Sequence, residues 1–165
     1  MSTEKLVAHV VSLNKDGKLV GKTRLQKTFY LLDQLGMNSG AEFSYHYYGP
    51  YSADVASAAE MATLLYDFEA DEKVSAKRSV SYTSYLSREK KPAKVGDLTA
   101  VEAQEALSEM DKVSDTVLEL AATMVFLKKN GFPKNYVEEV RARKPLKASE
   151  ERLQSAKMLV SALKL

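Results

Sequence analysis

Apolar residues recur at helical spacing in the first part of the chain and predict two helices there. The first covers residues 4–13, and the second begins at Thr23. Thr23 and Gln26 stand at the two ends of a capping-box pattern, in which each side chain bonds the backbone N–H of the other residue. Gly36 is predicted to end the second helix, because glycine readily adopts the left-handed conformation that follows many helices.

The pattern changes to a period of two in residues 42–48, which is typical of a strand. Aromatic and polar residues alternate there up to Gly49-Pro50, where the strand is predicted to end. Ser52 then caps a predicted helix over residues 53–67, since a serine hydroxyl can bond a free N–H of the first turn.

Serine, tyrosine and β-branched residues dominate residues 73–88 and predict a basic β-hairpin that turns near Lys77–Ser79. The next segment, 88–98, contains Pro92 and Gly96 and is predicted to be a polar linker. Helical spacing returns after it. Four further helices are predicted: one capped by Thr99 and reaching about Lys112, one over 114–130, one from Pro133 to Lys144, and one capped by Ser149.

This order of elements predicts a fold that is mainly α with a small β component. Helix, helix, strand, helix and hairpin in succession are typical of a winged-helix-like core, and the remaining helices would form a C-terminal helical extension. We expect a single domain over residues 1–165, with the basic hairpin and linker at about 71–98.

The net charge of +2 is small, but the basic residues are unevenly distributed. Residues 73–94 contain seven basic residues and one acidic residue. Such an excess is compatible with nucleic-acid binding, although charge runs are more often solvated faces. The candidate nucleic-acid contacts are Lys73, Lys77, Arg78, Arg88 and Lys90.

Gly21-Lys22-Thr23 has the last three letters of the phosphate-binding P-loop, G-x-x-x-x-G-K-[ST]. The first glycine of that motif would fall on position 16, which is Asp16. A P-loop also follows a buried strand, whereas this chain predicts a helix before the motif. We therefore expect a helix start here, and no nucleotide or other cofactor.

The chain has no cysteine and two histidines, which excludes thiol nucleophiles, disulfides and thiolate metal sites. It contains no nucleophile elbow, zinc motif or calcium loop. We expect no catalytic residues, no metal and no enzyme activity. We also expect no leader peptide and no membrane span, and hence a cytoplasmic location.

Four tyrosines occur within the seven residues from Tyr45 to Tyr51. Tyrosine combines an apolar ring with a polar tip, so it suits a core edge and a binding surface alike. One interpretation is a rigid corner whose rings pack on the second helix. The other is a recognition surface for a peptide or a nucleic acid.

Two of these segments together resemble a known family. "GKTRLQKTFYLLDQLG" followed by "FSYHYYGPYSADV" is similar to the pattern of the YwgA-like family, which is related to the Panacea domain of SocA-like antitoxins and to the C-terminal region of DarG-type antitoxins. The resemblance covers most of the chain outside residues 70–98. The matching positions are Leu25, Gln26, Lys27, Tyr30, Tyr48, Gly49, Pro50 and Tyr51.

The resemblance implies a non-catalytic module that binds a protein partner, as an antitoxin or adaptor in a bacterial toxin–antitoxin or phage-associated system. That partner would be a toxin or the target of a protease adaptor. The predicted partner-binding residues are Arg24, Gln26, Lys27, Tyr30, Tyr47, Tyr48, Gly49, Pro50 and Tyr51. The alternatives are a winged-helix DNA-binding regulator and a homodimer formed through the apolar C-terminal helices.

Overall fold

The computed structural model describes every residue from Met1 to Leu165. Seven α-helices contain roughly half of the chain, and the strands form small antiparallel sheets. The predicted class, mainly α with a small β component, is therefore confirmed. The helices are α1 (Thr3–Leu13), α2 (Lys22–Gln34), α3 (Ala53–Leu65), α4 (Ala100–Asp111), α5 (Asp115–Lys129), α6 (Tyr136–Arg143) and α7 (Glu150–Ala162).

The strands belong to three separate antiparallel sheets. A three-stranded sheet has the order β1-β5-β4, and two further pairs are β2 with β3 and β6 with β7. The strands are β1 (Lys18–Val20), β2 (Ser44–His46), β3 (Gly49–Tyr51), β4 (Phe68–Val74), β5 (Ser81–Ser87), β6 (Lys94–Val95) and β7 (Leu98–Thr99). We call the β2–β3 unit, residues 44–51, the aromatic hairpin, and the β4–β5 unit, residues 68–87, the long hairpin.

Helix α5 lies at the centre of the hydrophobic core. Ten of its fifteen residues are buried, and it packs against α2, α6, α7 and strand β3. A helix that is apolar on nearly all sides is stable only when other elements surround it. The elements that carry the aromatic hairpin are therefore anchored on the most deeply buried helix of the chain.

The predicted caps are correct at three helices. The hydroxyls of Ser52 and Ser149 accept backbone N–H bonds at the starts of α3 and α7. Thr99 and Glu102 form a complete capping box at the start of α4. Each such cap satisfies backbone donors that have no partner within the helix.

The cap predicted at Thr23 is wrong. Helix α2 begins at Lys22, its N-cap residue is Gly21, and no side chain caps it. Gln26 does not reach back to Thr23, because its amide bonds both backbone groups of Ser52. The buried start of α3 needs those bonds more than the exposed start of α2 does, since unpaired backbone groups are costly only away from water.

Three strand predictions also need correction. Strand β1 was not predicted, although its middle residue Leu19 is buried. Gly49-Pro50 does not end a strand but begins β3, because the chain turns at Tyr47–Tyr48 instead. The segment predicted to be a linker contains β6 and β7, with Val95 fully buried. All four of these strands are two or three residues long, too short to show a periodic pattern.

The long hairpin is not basic. Its turn lies near the predicted position, but β4 begins at Phe68, five residues earlier than expected. The added residues include Glu69, Asp71 and Glu72, and these equal in number the basic residues Lys73, Lys77 and Arg78.

One helix start also differs from the prediction, since α6 begins at Tyr136 rather than at Pro133.

Candidate functional site: the aromatic hairpin

The aromatic hairpin presents two tyrosine rings to solvent at its turn. Tyr47 is 81% exposed and Tyr48 is 52% exposed, and their ring centroids lie 4.9 Å apart in an edge-to-face arrangement. Gly49 follows them with φ at +91°, a conformation that side chains rarely adopt. Large aromatic rings are usually buried at least in part, but these two are exposed to solvent.

The backbone behind the turn is held by two buried side chains of α2. The Gln26 amide donates to the Ser52 carbonyl oxygen and accepts from the Ser52 N–H, both at 2.9 Å. The Lys27 ammonium donates to the Pro50 carbonyl oxygen at 2.7 Å. Both side chains are buried, so they position the hairpin and do not themselves form its outer surface.

A second set of bonds reaches the hairpin from the C-terminal part of the chain. Lys144, directly after α6, donates to the Tyr47 carbonyl oxygen at 3.0 Å and lies 3.0 Å from the Glu119 carboxylate. The Lys147 ammonium lies 3.0 Å from the other oxygen of that carboxylate. The side chains of Lys144 and Glu119 are each only 4% exposed. We call Lys27, Glu119, Lys144 and Lys147 the lysine cluster.

The lysine cluster places three ammonium groups near a single carboxylate. Burial is the main cause that lowers the pKa of Lys27 to about 8, and the nearby charges of Lys144 and Lys147 lower it further, while Glu119 acts in the opposite direction. Desolvation and like charges both disfavour an ammonium group. Glu119 is therefore the group on which the electrostatic balance behind the hairpin depends.

Cations also contact the aromatic rings directly. The Lys147 ammonium lies 4.5 Å from the centroid of the Tyr48 ring, and the Arg143 guanidinium lies 4.8 Å from that of Tyr45. Such cation–π contacts stabilise a partly exposed ring by about 0.5–1 kcal/mol. The hairpin is thus fixed through its backbone and through its rings, which leaves the Tyr47–Tyr48 turn as a rigid projection.

Tyr30 and Arg24 have other surroundings. Tyr30 is buried and packs edge-on against Phe43 at 5.2 Å, and burial raises the pKa of its hydroxyl. The Arg24 guanidinium bonds the carboxylate of Asp115 at 2.6 Å and the carbonyl oxygens of Met110 and Val113. Arg24 therefore joins α2 to the α4–α5 connection and is not brought to the aromatic hairpin.

Of the predicted partner-binding residues, the structure brings together Gln26, Lys27 and the hairpin itself. Pro50 and Gly49 are buried within the hairpin, and an added Cβ at Gly49 would lie 2.5 Å from the Thr123 hydroxyl. The residues that can contact a partner are therefore Tyr47, Tyr48 and the half-buried Tyr51. Gln26, Lys27, Gly49 and Pro50 determine where these rings stand.

The candidate nucleic-acid residues are not continued by basic residues on α3, the helix that packs against β4. Lys73, Lys77 and Arg78 are exposed at the end of the long hairpin. Arg88 is paired with Glu69 at 2.9 Å and lies 3.8 Å from Asp67. The neighbouring helix α3 has no basic residue and carries Asp54 and Glu60.

Sequence reasoning missed Glu119, Lys144 and Lys147. The sequence does indicate that Glu119 has charged or polar partners, because it is a single carboxylate in the middle of the most apolar helical segment of the chain. A charge in such a position is retained only when other charged or polar groups pair with it. The sequence could not show which cations those are, since they lie about 25 residues further along the chain.

No protein family model matches the chain, and no curated protein matches its sequence. The resemblance to the YwgA-like family therefore stays a prediction that rests on the motifs quoted above. No helix has both the length and the apolar character needed to cross a membrane. No group of three or more histidine or acidic side chains is placed to hold a metal ion.

Proposed function

We propose that this protein is a non-catalytic protein-binding module whose contact surface is centred on Tyr47 and Tyr48. The observation that carries the proposal is the exposure of these two rings at the end of a hairpin fixed from behind by buried polar bonds. Tyrosine is enriched among the residues that dominate binding energy in protein interfaces.

The rigidity of the hairpin favours binding. Association costs free energy for each side chain and loop that must be ordered, and a preorganised surface avoids most of that cost. Here Gln26, Lys27 and Lys144 order the backbone before any partner arrives. The exposed rings can then contribute apolar area and their hydroxyl groups without a further ordering step.

The fold and the resemblance to the YwgA-like family together support a more specific role. The first part of the chain is ordered α1, β1, α2, β2, β3, α3, β4, β5, with β1 paired to β5. Apart from the β2–β3 hairpin inserted between α2 and α3, this order supports a winged-helix-like core followed by a C-terminal helical extension. The YwgA-like motifs support an antitoxin or adaptor role in a bacterial toxin–antitoxin or phage-associated system. A cytoplasmic location accords with that role.

The DNA-binding alternative has narrower support. Lys73, Lys77 and Arg78, at the end of the long hairpin, and Lys90, just after β5, are exposed cations that can contact phosphates. Recognition of bases also needs a helix with suitable polar side chains in the groove. Helix α3 carries two acidic and no basic residues, and in α2 the side chains of Arg24 and Lys27 are engaged within the chain.

Coexpression with the products of adjacent genes tests the proposed function. We expect the tagged wild-type protein to bring down one of these products, and the Tyr47→Ser/Tyr48→Ser variant to lose it. Tyr82→Ser is the matched control, because Tyr82 is an exposed tyrosine on the long hairpin. Equal recovery of the product with both variants would contradict the proposal, as would the absence of any captured product.

Gel retardation of a random 30-base-pair duplex tests the alternative. A DNA-binding protein should retard the duplex at low salt, with log affinity falling by about 0.9 per log unit of salt for each phosphate contacted. We expect no retardation. Retardation that a Lys73→Ala/Lys77→Ala/Arg78→Ala variant abolishes would favour the regulator instead. Light scattering of the same samples tests the homodimer.

A further inference from the structure

A cleft of about 510 Å³ lies beside the aromatic hairpin, between α2, α3 and one face of the long hairpin. Ala70 and Glu72 of β4 share that face with Tyr85 and Thr83 of β5, their partners in the strand register. Tyr48 and Tyr51 line the cleft on its other side. The cleft is therefore continuous with the contact surface proposed above.

Small and aromatic residues give the cleft its shape. Ala56 and Ala59 of α3 and Ala70 of β4 leave space between the helix and the sheet, and the tyrosine rings of the aromatic hairpin close one side. Binding sites for small molecules and peptide segments are commonly apolar clefts of about 300–1,000 Å³ with a few polar groups. This cleft accommodates more than one side chain of a bound segment.

The charges at the cleft favour a cation. The carboxylate of Glu60 has no ion pair or side-chain hydrogen bond within the chain, and that of Glu72 lies 3.9 Å from the Lys22 ammonium, with both of those side chains about 70% exposed. An ion pair so exposed contributes little. The other cation at the cleft, Lys27, is buried and bonded to Pro50. Two carboxylates are thus available to a ligand.

The two carboxylates act on the same part of the cleft. Burial is the main cause that raises the pKa of Tyr85 to about 12, and the charges of Glu72 and Glu60 add to it, in that order. Glu60, Glu72 and Tyr85 all line the cleft. The Thr83 hydroxyl, 3.4 Å from Glu72, is on the same face.

We infer that the cleft binds an arginine-bearing segment of the partner protein. The inference rests on the proposed function and names the chemistry that the partner supplies. Alanine side chains accommodate the aliphatic part of an arginine, and a planar guanidinium can pair with a carboxylate while stacking on a tyrosine ring. The partner would contact Tyr47 and Tyr48 with one part of its surface and insert the arginine-bearing segment next to them.

Titration of the whole ¹⁵N-labelled protein with N-acetyl-arginine N-methylamide tests the inference without any partner. We expect saturable NMR shifts at the backbone amides of Glu60, Thr63 and Thr83. The corresponding glutamate derivative should leave these amides unshifted. No saturable shifts with the arginine derivative, or equal shifts with both probes, would overturn the inference.

Removing the carboxylates should weaken arginine binding by about threefold for each charge, as for exposed ion pairs. Glu60→Gln/Glu72→Gln is therefore expected to bind about tenfold more weakly. Glu151→Gln is the matched control, since Glu151 is exposed on α7 and makes no ion pair. Unchanged affinity in the double variant would overturn the inference.

Lys22→Gln should change the affinity for the arginine probe in the opposite direction. It removes a positive charge from the cleft and frees Glu72, so the arginine probe should bind about twofold more tightly. An anion-binding cleft would behave in the reverse way, with Lys22 as a ligand. Weaker arginine binding in Lys22→Gln, or glutamate binding that Lys22→Gln abolishes, would contradict the inference.

Capture of the partner separates the two proposals. If both hold, Glu60→Gln/Glu72→Gln lowers recovery of the coexpressed product, and Tyr47→Ser/Tyr48→Ser abolishes it. If the carboxylate variant retains full recovery while the tyrosine variant loses it, the cleft inference fails and the proposed function stands. If neither variant changes recovery, both fail.

Discussion

The aromatic hairpin and the long hairpin are both antiparallel pairs of strands with an exposed tyrosine, but they differ in how their polar groups are used. In the aromatic hairpin the backbone is bonded by buried side chains of distant elements, among them Lys27 and Lys144. In the outer part of the long hairpin, the charged side chains from Asp71 to Arg78 are exposed.

The difference shows that position, and not residue type, decides what a charged residue contributes. A lysine behind the aromatic hairpin is fixed, desolvated and necessary for the geometry of exposed rings. A lysine at the end of the long hairpin is solvated and adds little to stability.

Glu119→Gln should destabilise the protein by about 3 kcal/mol, because it leaves the buried Lys144 without its counter-charge. Urea denaturation followed by circular dichroism measures the change. The control on the long hairpin is Glu69→Gln, which breaks an exposed pair with Arg88 and should cost less than about 1 kcal/mol. Equal losses of stability in the two variants would show that the buried and the exposed ion pair do not differ in what they contribute.

Gly49→Ala should cost about 2 kcal/mol, since it combines a strained backbone with a contact to Thr123. Gly36→Ala isolates the backbone part of this cost. Gly36 also has a positive φ, of +105°, but an added Cβ there meets nothing within 4 Å. The loss should therefore be smaller in Gly36→Ala, and a loss as large as in Gly49→Ala would show that Thr123 does not restrict the hairpin.

Lys27 should make stability depend on pH above neutrality. Its pKa of about 8 in the folded protein lies below the value of about 10.4 expected when unfolded. Between these values the unfolded chain binds more protons, so the free energy of unfolding attributable to Lys27 rises with pH.

Wild type and Lys27→Met should be compared by urea denaturation at several pH values from about 7.5 to about 9.5. The stability of wild type relative to Lys27→Met should rise by about 1–2 kcal/mol over that range. Lys73→Met, on the long hairpin, should give a curve parallel to that of wild type. A parallel curve for Lys27→Met would contradict the assignment of a buried, desolvated ammonium group.

Much of the helical framework follows from the sequence, because it depends on local signals. The caps at Ser52, Thr99 and Ser149 and the periodic apolar faces predict helix starts correctly. Thr23 shows the limit of such signals. The pattern of a capping box is present there, but Gln26 bonds Ser52, twenty-six residues away, and the local motif is not formed.

The candidate site was predictable only at its surface. The tyrosine-rich segment was apparent from composition, whereas the groups that hold it come from α2, α5 and the residues after α6. A single sequence shows no such pairing between distant charges. Lys27 illustrates this, since a lysine in a helix is ordinarily solvated and here is 1% exposed.

The bond from Lys144 to the Tyr47 carbonyl oxygen has a consequence for the order of events during protein synthesis. The hairpin leaves the ribosome about one hundred residues before the lysine that completes its support. Contacts between such distant residues form late in folding, because the intervening chain must first be closed into a loop. A nascent chain that ends before Lys144 would carry the tyrosines without their final geometry, so the proposed contact surface would form only after Lys144 has been synthesised.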